Sequence, residues 1–408
     1  MESKFNNNIN SFKNFKNGTH IELRRIHSID ILKGLSICII ILINTAEFWI
    51  ESKSIYYYAL IAIYLDLFGT ILFIFLFSLS VIFLWKKKMG INPSREIRND
   101  ILIRGLLLIC SGIAYNIIIF FVKSKSIENP FEFPLLLNLW GWNILVFAGF
   151  AQIISYYAVK LSRGARWIVG FLIFFASTPI RDGLILLKDI SLIAAIIHYI
   201  IVSPNPQVTI LPYVAICFFS TIFGERILDC LQLNIKQCDL DTFKSMMIIG
   251  ALFVLIGLYY GWAFVDPKTL DPDDYPMVKL VPILKGKVLF FIIGIQGYLI
   301  RGTAPNLLFG FGTSLIVLSF SFYLFDIKHI HNFFVRILIF YGQCSLSLVF
   351  IHCIGLVFFN QFFGLIYFFI AYFIYIILLG FLMLLWVKYG KGIGTLKWIM
   401  SKLGSRHK

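Results

Sequence analysis

Charge is what this sequence has least of: Asp, Glu, Lys and Arg make up 14% of 408 residues, against 59% hydrophobic. A soluble domain carries about 25% charged residues, and no polar, periodic stretch here is long enough to form one of about 50 residues or more. Soluble catalytic signatures are missing as well. There is no glycine-rich phosphate loop, no HExxH, no GxSxG and no CxxC, a silence that narrows the field only slightly. Seven cysteines, an odd number, offer no disulfide framework. Cys38, Cys110, Cys217, Cys344 and Cys353 lie inside apolar runs, where a thiol acts as a small hydrophobe. Cys230 and Cys238 are too isolated for a zinc site, and no metal is expected. The first apolar run is full length and lacks a small-residue cleavage site, so it is expected to stay as a signal anchor.

What is present is apolar sequence, with a mean hydropathy of +0.85. Runs long enough to cross a hydrocarbon core, about 20 residues each, fall at 29–50, 60–85, 101–122, 136–159, 167–187, 208–228, 245–265, 306–325, 337–358 and 362–386. The expected fold is therefore all-α, a polytopic transmembrane helix bundle of about ten crossings. Two apolar segments, 189–203 and 288–300, are short for a crossing and fit a re-entrant or interfacial position. If both span, the crossings become twelve. Residues 1–24 are rich in Asn, Lys and Ser and read as a disordered tail.

The formal charge of +15 raises the question of nucleic acid, but the basic residues sit in short loops between apolar runs, as the positive-inside rule requires. Nucleic-acid binding is not expected. Ten crossings put both termini, Lys86–Arg98, the loop with Lys160, Arg163 and Arg166, and the loop with Lys328 and Arg336 on one side. By the charge rule that side is the cytoplasm, and Asp266–Asp274 lies outside.

Ionisable and amide side chains inside a bilayer are expensive, about 2.5–3.5 kcal/mol for a centred charge on insertion scales, and so are candidates for function. Asn44 and Glu47 share a face near the outer end of the first span. Asp66 lies in the second span, and Ser345 and His352 lie on one face of the ninth. An imidazole beside a carboxylate is the minimum pair for general-base work. Each also has an ordinary reading: Glu47 and Asp66 as interfacial residues, Asn44 as a helix–helix hydrogen bond. Asn116, Asn138, Asn143, Gln152, Gln296 and Asn360 read as packing contacts, and the cytoplasmic Arg and Lys as topology signals.

The stretch Arg25-Ile-His-Ser-Ile-Asp30-Ile-Leu-Lys33-Gly34, with Asn44 late in the same helix, resembles the opening of the heparan-alpha-glucosaminide N-acetyltransferase-like membrane family, R-x-x-S-[IVL]-D-x-[LF]-[RK]-G. Three further blocks are similar in order. Asp66-Leu-Phe-Gly-Thr-Ile-Leu-Phe-Ile-Phe resembles D-L-x-x-P-x-F-x-F without its proline, Ala304-Pro-Asn-Leu-Leu resembles a P-x-x-L helix start, and Tyr341-Gly342-Gln-Cys-Ser345 to His352 resembles G-x-x-S-L-x-x-[YF]-x-x-H. Pro212 at the head of its helix also suits the family. A broader group of membrane acyltransferases that modify surface sugars opens similarly, but usually with His where this chain has Asn44.

The resemblance implies transfer of an acetyl or other acyl group from cytosolic acyl-CoA to a sugar or glycolipid acceptor on the outer side, by a domain spanning 25–390 between the tail 1–24 and a basic cytoplasmic tail 391–408. It assigns Asn44 to the acyl carbonyl or acceptor, Asp66 to orienting a catalytic group, and His352 to the same pocket. Arg25, Lys33 and Arg104 are expected at the CoA phosphates. Membrane lipids and the acceptor are the expected partners, with a homo-oligomer left open. The animal enzymes carry a catalytic His in the first outer loop, near Tyr56 here, and no His falls between Asn44 and Asp66. That leaves the base role to Glu47 or His352. The rival readings are a transporter or lipid/sugar flippase using the same buried polar residues, and a catalytically silent scaffold.

Overall fold

A computed structural model describes residues 26–88, 93–123, 140–202, 208–233, 236–266, 268–271, 274–284, 295–330, 332–356, 358–359 and 361–405. The described residues form an all-α bundle with no strand beyond two isolated bridges. The helices are α1 (His27–Trp49), α2 (Ile55–Asp66), α3 (Leu72–Lys88), α4 (Ser94–Lys123), α5 (Ile144–Ala158), α6 (Arg163–Leu187) and α7 (Leu192–Ile201). They continue with α8 (Ile210–Leu233), α9 (Lys236–Gly261), α10 (Ala304–Ser321), α11 (Phe333–Leu356), α12 (Leu365–Tyr389) and α13 (Leu396–Ser405). A wide π turn, Leu67–Ile71, joins α2 to α3 without a break in direction, and a second, Phe322–Ile327, ends α10.

Eight helices among the described residues are long and apolar enough to cross a membrane, and they cover eight of the ten predicted spans. The other two spans differ. Of the run at 136–159, residues 136–139 lie outside the described residues, and the described part holds α5, 15 residues, starting where Asn143 accepts hydrogen bonds from the Leu145 and Val146 amides. The run at 208–228 becomes α8, whose backbone leaves helical geometry at Leu211 before Pro212. The short segment 189–203 forms α7, 10 residues long. At 1.5 Å per residue it reaches about 15 Å, half of a roughly 30 Å hydrocarbon core. Of 288–300, residues 285–294 lie outside the described residues, and Gly297–Leu299 is a single 3-10 turn. The 1–24 tail also lies outside them. The 391–408 tail contains α13, capped by the Thr395 hydroxyl, which accepts from the Trp398 amide.

Large apolar side chains remain exposed on the outward helices, including Leu172 (64%) and Phe175 (68%) of α6, Leu255 (62%) of α9, and Phe373 (59%) and Ile377 (67%) of α12. Apolar surface on that scale is suited to lipid rather than water. The interior is built by helix pairs: α1 along α11, α9 along α10, α4 along α5, and α8 against α3 and α6. The α1–α11 pair is the one that positions the site. A Cβ placed on Gly34 would lie 2.1 Å from the Leu338 carbonyl oxygen, and one on Gly342 would lie 1.9 Å from that of Asp30. Only two glycines allow backbones this close.

Contacts sort the loops onto two ends of the bundle. At one end, the Asp326 carboxylate accepts from the His27 and Ser28 amides (2.8 and 3.0 Å), and Arg163 and Arg166 pair with Glu225. At the other, the Glu51 amide donates to the Phe363 carbonyl, and the Val208 amide to that of Trp142. One sequence expectation about cysteine is corrected: Cys230 and Cys238 are joined in a disulfide. The end of α8 and the start of α9 bring their Cα atoms to 5.4 Å, a proximity that an odd cysteine count conceals.

Candidate functional site

Ile40 lies three and four residues before Ile43 and Asn44, and Glu47 four and three after them, so the four share one face of α1. Tyr58, Ala62 and Asp66 do the same on α2, and Thr70 continues the row into the π turn. The two rows line a cavity of about 150 Å³, closed by Tyr115, Ile144 and Val208, by the 3-10 helix Pro276–Leu280 and by Arg301. A π turn adds a residue to the helical repeat and is common at functional positions. Here it begins one residue after Asp66.

Asp66 is 2% exposed. Its carboxylate accepts from Arg301 Nε on Oδ2 (2.7 Å), from Arg301 Nη2 on Oδ1 (2.5 Å) and from the Thr70 hydroxyl on Oδ1 (2.7 Å). This is a fork-on-carboxylate geometry, which fixes orientation as well as charge. Burial works to lower the Arg301 pKa, and the charge and hydrogen bonds of Asp66 more than offset it, so the guanidinium is held above its ordinary range.

Asn44 Nδ2 lies 3.1 Å from His352 Nε2 and 3.3 Å from the Tyr115 hydroxyl. The other ring nitrogen of His352, Nδ1, faces the Val349 carbonyl. A carbonyl only accepts, so Nδ1 carries the proton and Nε2 accepts from the Asn44 amide. His352 is fully buried and is not among the residues lining the cavity. It stands behind Asn44 and fixes which way the amide points. The Tyr375 hydroxyl, in turn, donates to the His352 carbonyl at 2.8 Å.

Of the sequence-predicted residues, Asn44, Glu47 and Asp66 meet in one cavity, and His352 supports it from the rear. The predicted phosphate contacts do not line it. Lys33 donates to the Ser80 hydroxyl at 2.6 Å, and Arg104 pairs with Asp100 at 3.1 Å alongside Lys88. Arg25 lies outside the described residues. Among the described residues no three His, Cys, Asp or Glu side chains gather as metal ligands would. Sequence reasoning missed Arg301, Tyr58, Thr70 and Tyr115. For Arg301 the available signal was a cation set in the apolar stretch Ile295–Ile300, next to Gly302, whose positive φ of 86° suits glycine. Asn116 and Asn143, read as packing residues, do join α4 to α5: Asn143 Nδ2 donates to Asn116 Oδ1 at 2.7 Å.

No family model and no curated protein matches this chain.

Proposed function

We propose that this chain is an integral membrane acyltransferase, moving an acetyl or other short acyl group from acyl-CoA to a hydroxyl or amine of a sugar or glycolipid acceptor. The observation that carries the reading is the convergence of Asn44, Glu47 and Asp66 on one cavity, from the blocks that resemble the heparan-alpha-glucosaminide N-acetyltransferase-like family. Thr70, at the place of that family's proline, falls inside the π turn. Both features supply a local departure from regular helix at the same point.

In this reading both termini are cytoplasmic in the cell membrane, because the end bearing Asp326, Arg163 and Arg166 is also the end richest in basic loops. Acyl-CoA approaches from that end. Lys33 lies eleven residues before Asn44 on α1, about 16 Å at 1.5 Å per residue. Lys33, Arg104 and Arg25 would hold the phosphates while the thioester reaches the cavity.

Glu47 takes the proton from the acceptor hydroxyl or amine, as the cavity carboxylate that is not forked on Arg301 among the described residues. The freed electron pair attacks the thioester carbonyl carbon, and Asn44 turns the amide N–H that otherwise faces the Tyr115 hydroxyl to the oxygen that becomes negative. Collapse of the tetrahedral centre breaks the C–S bond, and CoA leaves as a thiol after regaining a proton. The Asp66–Arg301 fork, a neutral pair, fixes the wall beside this centre.

The test is turnover by the purified protein in lipid. Acyl-CoA is expected to be consumed with an amino- or hydroxy-sugar present, and Asn44→Ala to lower kcat by about 10²–10³-fold, the usual effect of losing one oxyanion donor. No binding and no consumption of acetyl-CoA, propionyl-CoA or butyryl-CoA would overturn the proposal.

A further inference from the structure

Across Arg301 from the cavity is a second pocket, of about 20 Å³, on which Arg181, Tyr213 and Asp274 also border. The two spaces share Pro276, Met277 and Arg301 as a common wall. The small pocket exceeds the 10–15 Å³ or so that one water-sized atom needs.

Arg181 comes from α6, two residues after the internal Pro179, and is 1% exposed. Its Nη1 donates to the Gly302 carbonyl (2.8 Å) and its Nη2 to the Asp274 carbonyl (2.9 Å), and the guanidinium lies 4.2 Å over the Tyr275 ring. Two peptide dipoles and a ring face therefore surround this cation, with no carboxylate bonded to it among the described residues. The neighbouring carboxylates are engaged elsewhere: both Asp274 oxygens face His198 Nε2 (2.9 and 3.2 Å), and both Asp66 oxygens take Arg301.

Arg181 Nε, though enclosed, meets no hydrogen-bond partner among the described residues, and the Tyr213 hydroxyl, on a side chain 1% exposed, has the Gly302 amide facing it but no acceptor for its own proton. Thr209 turns its own hydroxyl to the Leu211 carbonyl. An arginine nitrogen can only donate, and an enclosed donor left without an acceptor costs about 1–3 kcal/mol. The lining thus supplies unmet donors and two guanidiniums against the one carboxylate of Asp274, and Arg181, bonded only to carbonyls, is the charge that an anionic acceptor completes.

We propose that this pocket is an oxyanion subsite: the molecule held in the cavity carries a carboxylate, phosphate or sulfate group, and one of its oxygens enters between Arg181 and Arg301 to accept from Arg181 Nε and Tyr213. Because Arg301 borders both spaces, a ligand in the cavity lies against the same guanidinium that lines the small pocket. This deepens the acyl-transfer reading by specifying an anionic acceptor, and it is testable by binding alone.

The experiment is titration of the purified full-length protein in detergent, followed by thermal unfolding at constant ionic strength, with inorganic phosphate, glucose and glucose 6-phosphate as probes. Glucose 6-phosphate is expected to give a saturable rise in Tm, at least tenfold tighter than inorganic phosphate, while glucose gives none. Tyr213→Phe, which removes one hydroxyl, is expected to weaken that binding about fivefold or more, and Arg181→Gln to abolish it. Because Arg181 also tethers Gly302 and Asp274, the Tyr213 variant carries the test if Arg181→Gln does not fold. Gly164→Ala, whose added methyl meets nothing within 4 Å, is expected to bind as wild type. Equal affinity for phosphate and glucose 6-phosphate overturns the bridging ligand, and no saturable rise, or an unchanged rise in Tyr213→Phe, overturns the subsite. Intact glucose 6-phosphate binding in a protein that never turns over acyl-CoA would remove the enzymatic reading and leave the subsite standing.

Discussion

In the proposed reaction, Glu47 and His352 divide two jobs that catalysis often joins. Glu47 borders the cavity, while His352 spends both ring nitrogens on Val349 and Asn44, so it aims an amide and moves no proton. His352→Gln is therefore expected to lower kcat about tenfold or more through a misdirected Asn44, with the pH–rate profile keeping its shape. Glu47→Gln is expected to remove the limb of that profile that reports the base. A profile limb that disappears with His352 instead would reverse the assignment. The Asp66–Arg301 fork makes a different prediction. Removing one member of a buried pair strands the other charge, so Asp66→Ala is expected to destabilise by about 3 kcal/mol or more. Asp66→Leu combined with Arg301→Met should recover most of that stability and none of the activity, as read by thermal unfolding beside turnover.

At the scale of the element, the site depends on how closely α1 and α11 approach. Gly342 has the Asp30 carbonyl where a Cβ would go. Gly342→Ala is expected to cost about 1–3 kcal/mol as overpacking does and to part Asn44 from His352. Gly164→Ala, with nothing within 4 Å, should be neutral. The helices themselves were legible in the sequence, because about 20 consecutive apolar residues have few other uses. So were Asn44, Glu47 and Asp66, since a polar group in such a run is conspicuous. The π turns, the break at Leu211 and the 15-residue α5 were not, because hydropathy records the cost of burying side chains and is blind to the helical repeat. Arg301 escaped for another reason. A cation between apolar segments is the ordinary topology signal, and its partner lies 235 positions away.

For the whole molecule, two ends and an apolar waist follow from the distribution of charge and exposed hydrophobic surface. The proposed orientation predicts that a cysteine at Ser52, in a background lacking the other cysteines, reacts with an impermeant maleimide added to intact cells. One at Lys160 should react only after permeabilisation. The same side for both would contradict the ten-crossing arrangement. The cavity lies toward the Ser52 end of α1, so in the proposed orientation it would meet an outer acceptor while the thioester would arrive along α1 from the other end. The most direct measurement of that central claim is single-turnover transfer of a radiolabelled acetyl group from acetyl-CoA to an amino-sugar acceptor, by wild type and Glu47→Gln side by side. The expected result is a labelled sugar formed by wild type and a rate about 10²–10⁴-fold lower without the base, with acetyl-CoA still bound. Equal rates in the two proteins would contradict it.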